Sequence, residues 1–199
     1  YGYKSYIDET QYKPDWIAIS NTDISFKNKN FFSQFSVQSN YVDDIWAVGP
    51  SVYSLASKSY SNPQYKERVS KKKILRNLYI YKHPEIAYVH MSLARIKSSI
   101  ISRKKEPSNY TFSIHGSFFF IRSQLADYLY LHPFKSMLYE EEIYIGNIIL
   151  KQGKKNYYDA RLEVIHSENA VTKFINLKQK ARYYVESLRV IKDEFYSEV

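Results

Sequence analysis

The chain has 199 residues, 44% hydrophobic and 25% charged, the balance of a folded domain with room for a core rather than of a disordered segment. It has no cysteine, which excludes disulfides, thiolate metal sites and a cysteine nucleophile, and no apolar run near the ~18 residues that span a bilayer. The net charge of +9 is concentrated: residues 66–105 hold twelve Lys and Arg against Glu67 and Glu85, so this segment alone carries +10.

In chain order, Lys13-Pro14-Asp15 reads as a turn and Trp16–Ser20 as a buried strand that delivers Asn21-Thr22-Asp23 at its carboxyl end. Ile45–Val48 is a second strand, closed by Gly49-Pro50, and Ser57–Tyr65 a loop broken at Asn62-Pro63. The basic segment reads as two helices split at His83-Pro84. In the second helix Ile86, Val89, Leu93, Ile96 and Ile100 share one face.

After Pro107-Ser108-Asn109, a strand is expected at Phe118–Ile121 and a helix at Ser123–Tyr130 with Ser123 as its cap. A further helix covers Glu140–Leu150, with acids in its first turn and a stop at Lys151-Gln152-Gly153. Short strands follow at Asn156–Tyr158 and Leu162–Ile165. From Thr172 to about Glu198 the chain reads as an amphipathic helix with Phe174, Leu177, Ala181, Tyr184, Leu188 and Ile191 on one side. Strands alternating with helices predict one α/β domain with a mainly parallel sheet, whose ligands bind at the carboxyl ends of the strands, where Asp23 sits.

An acid at a strand end, a later acid cluster (Glu140-Glu141-Glu142) and a late histidine (Val164-Ile165-His166) are the parts of a metal-assisted transfer site. Asp23 is the natural ligand for a divalent ion, with Asn21 beside it as a neutral oxygen donor. His83, His90, His115 and His132 have no comparable context.

The ordered set Asn21-Thr22-Asp23, Gly49-Pro50, Gly116-Ser117 through Arg122, Leu138-Tyr139-Glu140-Glu141-Glu142, Gly153 and Val164-Ile165-His166 resembles family 2 glycosyltransferases of the GT-A fold, in particular rhamnosyltransferase-like members. The resemblance covers roughly residues 5–195 and lacks the family's opening strand motifs. It implies a Rossmann-like α/β domain without its first strand-helix units and with an exposed sheet edge where they belong. It further implies an inverting transfer of sugar from a nucleotide-sugar donor to a saccharide or lipid-linked acceptor in bacterial surface polysaccharide synthesis.

By the same resemblance Glu142 is the general base with Glu141 as the alternative, Asp23 and His166 hold a divalent Mg or Mn ion, and Asn21, Gly116, Ser117 and Arg122 contact substrate. Tyr144, Ile145 and Asn147 depart from the family's usual continuation of the acidic block. Without the base-binding units, nucleotide sugars are expected to bind weakly or not at all.

The competing reading is a non-catalytic basic module for nucleic acid or an anionic membrane surface. No RNA- or DNA-binding motif accompanies the charge, so nucleic acid is not an expected partner. A cytoplasmic protein is expected, with residues 66–105 forming a solvent-exposed helical excursion that docks peripherally on the inner membrane face.

Overall fold

The computed structural model describes residues 2–38, 41–167 and 175–197, with all side chains there except those of Gln38, Arg95, Ser98 and Ser99. The elements are α1 (Gly2–Thr10), β1 (Trp16–Ser20), β2 (Ile24–Phe26), α2 (Phe31–Gln38), β3 (Ile45–Ser54), β4 (Ser59–Tyr60), α3 (Lys71–Lys82) and α4 (Pro84–Ile100). They continue with β5 (Asn109–Thr111), β6 (Phe118–Arg122), α5 (Ser123–Leu131), α6 (Glu141–Lys151), β7 (Lys155–His166) and α7 (Leu177–Phe195).

The strands form one sheet in the order β1-β6-β3-β7-β2, with β4 beside β3 and β5 beside β7. The fold is therefore mixed α/β, but the expected mainly parallel sheet is corrected. Among the described residues only β3 and β7 pair in parallel, and the other five strand pairs are antiparallel. One antiparallel pair, β3·β4, is a hairpin closed by residues 55–58, and the other four join strands far apart in the sequence. Residues 21–23 reverse the chain between β1 and β2, but these two strands pair with β6 and β7 rather than with each other. Even so, β1, β3 and β7 run one way, and their carboxyl ends lie on the same edge of the sheet.

Helices cover both faces. In β6 all of Phe118–Ile121 are buried, and alternation divides them between the two sides. Phe118 and Phe120 join Phe31 and Phe35 of α2, with Val48, Val52, Leu162 and Val164. Phe119 and Ile121 join Ile74 and Leu78 of α3, Ile143 and Ile148 of α6, and Leu188 and Ile191 of α7. Each such side chain stabilises the fold by about 2 kcal/mol through burial alone.

Several local expectations change. Gly49-Pro50 does not close a strand but lies inside β3: a Cβ on Gly49 would fall 2.0 Å from Ile114 Cγ2, so glycine is there for close packing rather than a turn. The register against β7 slips between Pro50 and Ser51, and that irregularity lets β7 run unbroken where two short strands were expected. Trp16–Ser20 is not buried. It pairs with β6 on one side and exposes Ala18, Ile19 and Ser20. Ser123 is the first residue of α5 rather than its cap, and its hydroxyl donates to the carbonyl of Pro14.

The break at His83-Pro84 is as expected, but the two basic helices differ. α3 buries Ile74, Leu78 and Tyr81 against the rest of the fold, whereas α4 buries Ala87 and leaves its apolar row exposed. α7 begins at Leu177 and buries Ala181, Leu188 and Ile191, and Phe174 lies outside the described residues.

Candidate active site

Four segments meet at the carboxyl ends of β1, β3 and β7. The first is the turn at residues 21–23. Its exit strand β2 pairs with the end of β7 so that Ile24 faces His166, and Ser167 N–H donates to the Asp23 carbonyl at 3.0 Å. On its other side His166 faces Ser54 of β3 and accepts Leu55 N–H at its carbonyl, also at 3.0 Å. Backbone pairing on both flanks therefore fixes the His166 ring beside Asp23, with Nε2 3.2 Å from Oδ1.

The contact is close but lacks the alignment of a hydrogen bond. Both carboxylate oxygens of Asp23 and both ring nitrogens of His166 are buried without a hydrogen-bond partner among the described residues. A buried polar group left unmatched costs about 1–3 kcal/mol, so this pair is an arrangement suited to something it can bind.

The second pair is the loop of His115, Gly116 and Ser117 with the start of α6. Ser117 accepts Asn21 N–H at its carbonyl, 2.8 Å away, joining this loop to the turn before Asp23. His115 N–H donates to Asn62 Oδ1 at 2.7 Å, and Asn62 Nδ2 in turn donates to the Pro50 carbonyl at 2.8 Å. Burial, then the nearby His166 and Arg103, lower the His115 pKa to about 4, so the ring is neutral near pH 7. Ser117 N–H donates to Nδ1 at 3.2 Å, which assigns the ring proton to Nε2. The His115 and His166 rings lie 6.0 Å apart, edge to face.

Gly116 N–H donates to Glu142 Oε1 at 3.2 Å. A Cβ on Gly116 would lie 3.2 Å from Glu142 Oε1 and 3.6 Å from Glu141 Oε1, so the missing side chain is what lets both acids approach. Tyr139 and Glu140 precede them at φ 70° and 63°, two successive non-glycine residues in left-handed backbone. Burial, then the neighbouring charges of Glu141 and Glu140, push the Glu142 carboxyl up to about 8. Glu140 rises to about 7 by burial and the charge of Glu141, with Lys73 opposing. Glu141 Oε2 is buried with no partner among the described residues.

These acids separate two cavities. One, of about 340 Å³, carries Lys73 and Arg76 as well as Glu140, Glu141 and Glu142, and its wall is a tyrosine stack. Tyr184 lies between Tyr81 and Tyr139, with both ring separations 4.3 Å. The other, of about 310 Å³, is lined mainly by Ile19, Ile114, Phe119 and Ile145 beside Gly116.

Of the residues singled out in the sequence, the structure pairs Asp23 with His166 and Glu142 with Gly116, with Glu141 beside Gly116 as well. The loop of residues 115–117 lies between the two groups, and the two cavities lined by the acids do not include Asp23 or His166. Asn21 reaches the group through its backbone, and its side chain is exposed. Arg122 is not brought in. It faces Trp16 at the far end of β1, stacks on that ring at 4.3 Å, and donates to the Tyr41 carbonyl at 2.9 Å. Among the described residues no group of three or more His, Cys, Asp and Glu is arranged to hold a metal ion, so the protein offers two donors and no complete cage.

Sequence reasoning set His115 aside and read Asn62 only as a breaker. Both became legible only through contacts made across the fold. The tyrosine stack draws on α3, α7 and the segment before α6, and has no local pattern.

No family model matches the chain, and no curated protein matches it. Among solved structures it is similar to the crystal structure of A197 from STIV, at 12% identity and a TM-score of 0.45, over 87% of this chain and 64% of that one. The chain thus spans less than two thirds of that protein, and a likeness this distant carries no argument about function.

Proposed function

We propose that the chain is a glycosyltransferase domain, or part of one, that moves a sugar from a nucleotide-sugar donor to a saccharide or lipid-linked hydroxyl. The observation that carries this reading is the convergence of Asp23 and His166 with Glu141 and Glu142 around one short loop, at strand carboxyl ends.

Asp23 and His166 suit a divalent ion such as Mg or Mn. They offer one carboxylate and one imidazole, nearly buried and unmatched, and phosphate oxygens and water would complete the shell. Bound there, the ion would neutralise charge on a departing diphosphate. Glu142 takes the proton from the acceptor hydroxyl as its oxygen bonds to the anomeric carbon. The bond from that carbon to the diphosphate breaks on the opposite face, and its electron pair leaves with the diphosphate. The anomeric centre inverts.

A carboxylate raised to about 8 is a stronger base than an ordinary one, matched to work near neutral pH. The Gly116 N–H fixes one of its oxygens.

The test is release of nucleoside diphosphate from a panel of nucleotide sugars with Mg or Mn. Glu142→Gln should lower it by about 100-fold or more, and Asp23→Ala or a chelator should abolish it. Release that is indifferent to all three changes refutes the proposal. The exposed apolar row of α4, beside the basic α3, favours a second reading, a binding module without catalysis, and absence of turnover in a well-folded chain would support that one.

A further inference from the structure

We propose that α4 is a docking face for an anionic lipid bilayer, its apolar row settling at the headgroup boundary while lysines around it meet lipid charge. Ile86, Val89, Leu93, Ile96 and Ile100 recur at helical spacing and are between 41% and 75% exposed. The opposite side of the helix supplies its attachment to the domain, through buried Ala87 and half-buried Met91. An amphipathic helix in a globular protein normally turns its apolar row to the core. Here the row is turned away, and the helix holds on by the narrow face of Ala87 and Met91. Exposing five large aliphatic side chains in one line is unfavourable in water and points to a partner with an apolar interior.

The surrounding charge identifies that partner. Some cations of the segment are engaged within the fold: Lys66 with Glu106, Lys105 with Glu163, and Arg103 with the Pro63 carbonyl. Others are exposed and make no ion pair among the described residues, namely Lys72 and Lys82 of α3, Lys97 of α4, and Lys104. Lys97 flanks the apolar row, and Lys82 and Lys104 lie just beyond its two ends.

A second copy of this chain would bring the same positive charge to the contact and be repelled. An anionic leaflet offers a hydrocarbon boundary and negative headgroups in one surface. At 17 residues α4 is about 25 Å long, enough to lie along a membrane, and no helix among the described residues is long and apolar enough to cross one. This inference is independent of glycosyl transfer, because it concerns a different face of the molecule and needs no donor.

The experiment is co-sedimentation of the full chain with vesicles of equimolar phosphatidylglycerol and phosphatidylcholine, against vesicles of phosphatidylcholine alone. Binding should be confined to the anionic vesicles and fall steeply between about 0.05 M and about 0.5 M salt. Neutralising Lys82, Lys97 and Lys104 together to Gln should weaken it by about 100-fold, at ~fivefold per lysine.

Leu93→Asp with Ile100→Asp, both at exposed positions and checked for an unchanged melting profile, should remove binding even at low salt. Three results overturn the proposal: no binding to anionic vesicles at low salt, equal binding to both vesicle types, or full binding by the Asp variant. Sedimentation equilibrium adds a fourth, a dimer dissolved by Leu93→Asp, which would make a second copy the occupant.

Discussion

Glu142→Gln should stabilise the protein, and do so more as pH rises. In the folded chain the Glu142 carboxyl is raised from 4.5 to about 8. A raised carboxyl pKa contributes stability that is fully present below about 4.5, where both states hold the proton, and is lost as pH climbs to about 8. Over that span the unfolded chain releases a proton that the folded chain keeps. At about 1.4 kcal/mol per pH unit the loss is at most ~5 kcal/mol. The charges of Glu141 and Glu140 supply part of that rise beside burial, so ~2–3 kcal/mol is the working value.

Glutamine keeps the shape and still accepts Gly116 N–H, but it has no charge to bury. Urea unfolding of both proteins at pH 5, 7 and 9 reads the effect of Glu142 together with its acidic neighbours, because titrating groups away from this cluster contribute alike to the two profiles. The variant should gain ~2–3 kcal/mol on the wild type between pH 5 and pH 9. Parallel profiles, or a wild type that gains on the variant as pH rises, would refute the burial and proximity argument for Glu142.

Mn ions added with a nucleoside diphosphate should broaden the His115 and His166 ring signals, and Asp23→Asn should abolish this; broadening that survives the change would place the ion elsewhere. Gly49→Ala should cost about 3 kcal/mol, since its Cβ would meet Ile114 at 2.0 Å, whereas Gly116→Ala meets only a movable carboxylate end and should cost under about 1 kcal/mol. Equal melting losses would contradict those contacts. Asp159 is fully buried and accepts from Tyr41 at 2.6 Å and Arg161 at 2.6 Å, and these bonds lower its pKa despite burial. Asp159→Asn should therefore cost about 3 kcal/mol at pH 7, and the difference should shrink as pH falls below the ordinary carboxylate range, measured by urea unfolding.

Elements with local signals were legible in the sequence. The His83-Pro84 break, the Gly153 stop at φ 66° and the apolar run of β6 each announce themselves within a few residues. What failed depends on distant partners. Gly49 has the look of a turn glycine until Ile114 packs against it. Ser123 looks like a cap until Pro14 arrives to take its hydroxyl. Strand direction was misjudged because a helix between two strands does not say which strands will be neighbours.

The same limit applies to the candidate site. Asp23 and His166 stood out through the order of short motifs, whereas His115 carries the same side chain as His166 and differs only in which partners the sheet register gives it. Arg122 was one residue of a contiguous run, and an extended strand of five residues carried it roughly 13 Å from Phe118, away from the group.

β2 has one neighbour in the sheet among the described residues, and that neighbour is β7. β2, which leaves the turn carrying Asp23, is therefore made near the start of the chain but has nothing to pair with until roughly 140 residues later. Contacts of such sequence separation carry a large loop-closure cost before they return any stability, and they slow folding toward the millisecond-to-second range. During synthesis, a chain that has reached α6 already contains both acids and the His115 loop, yet it lacks the strand that gives Asp23 its place. Ion-binding capacity should then appear late and abruptly, with completion of β7, rather than build up as the earlier strands assemble.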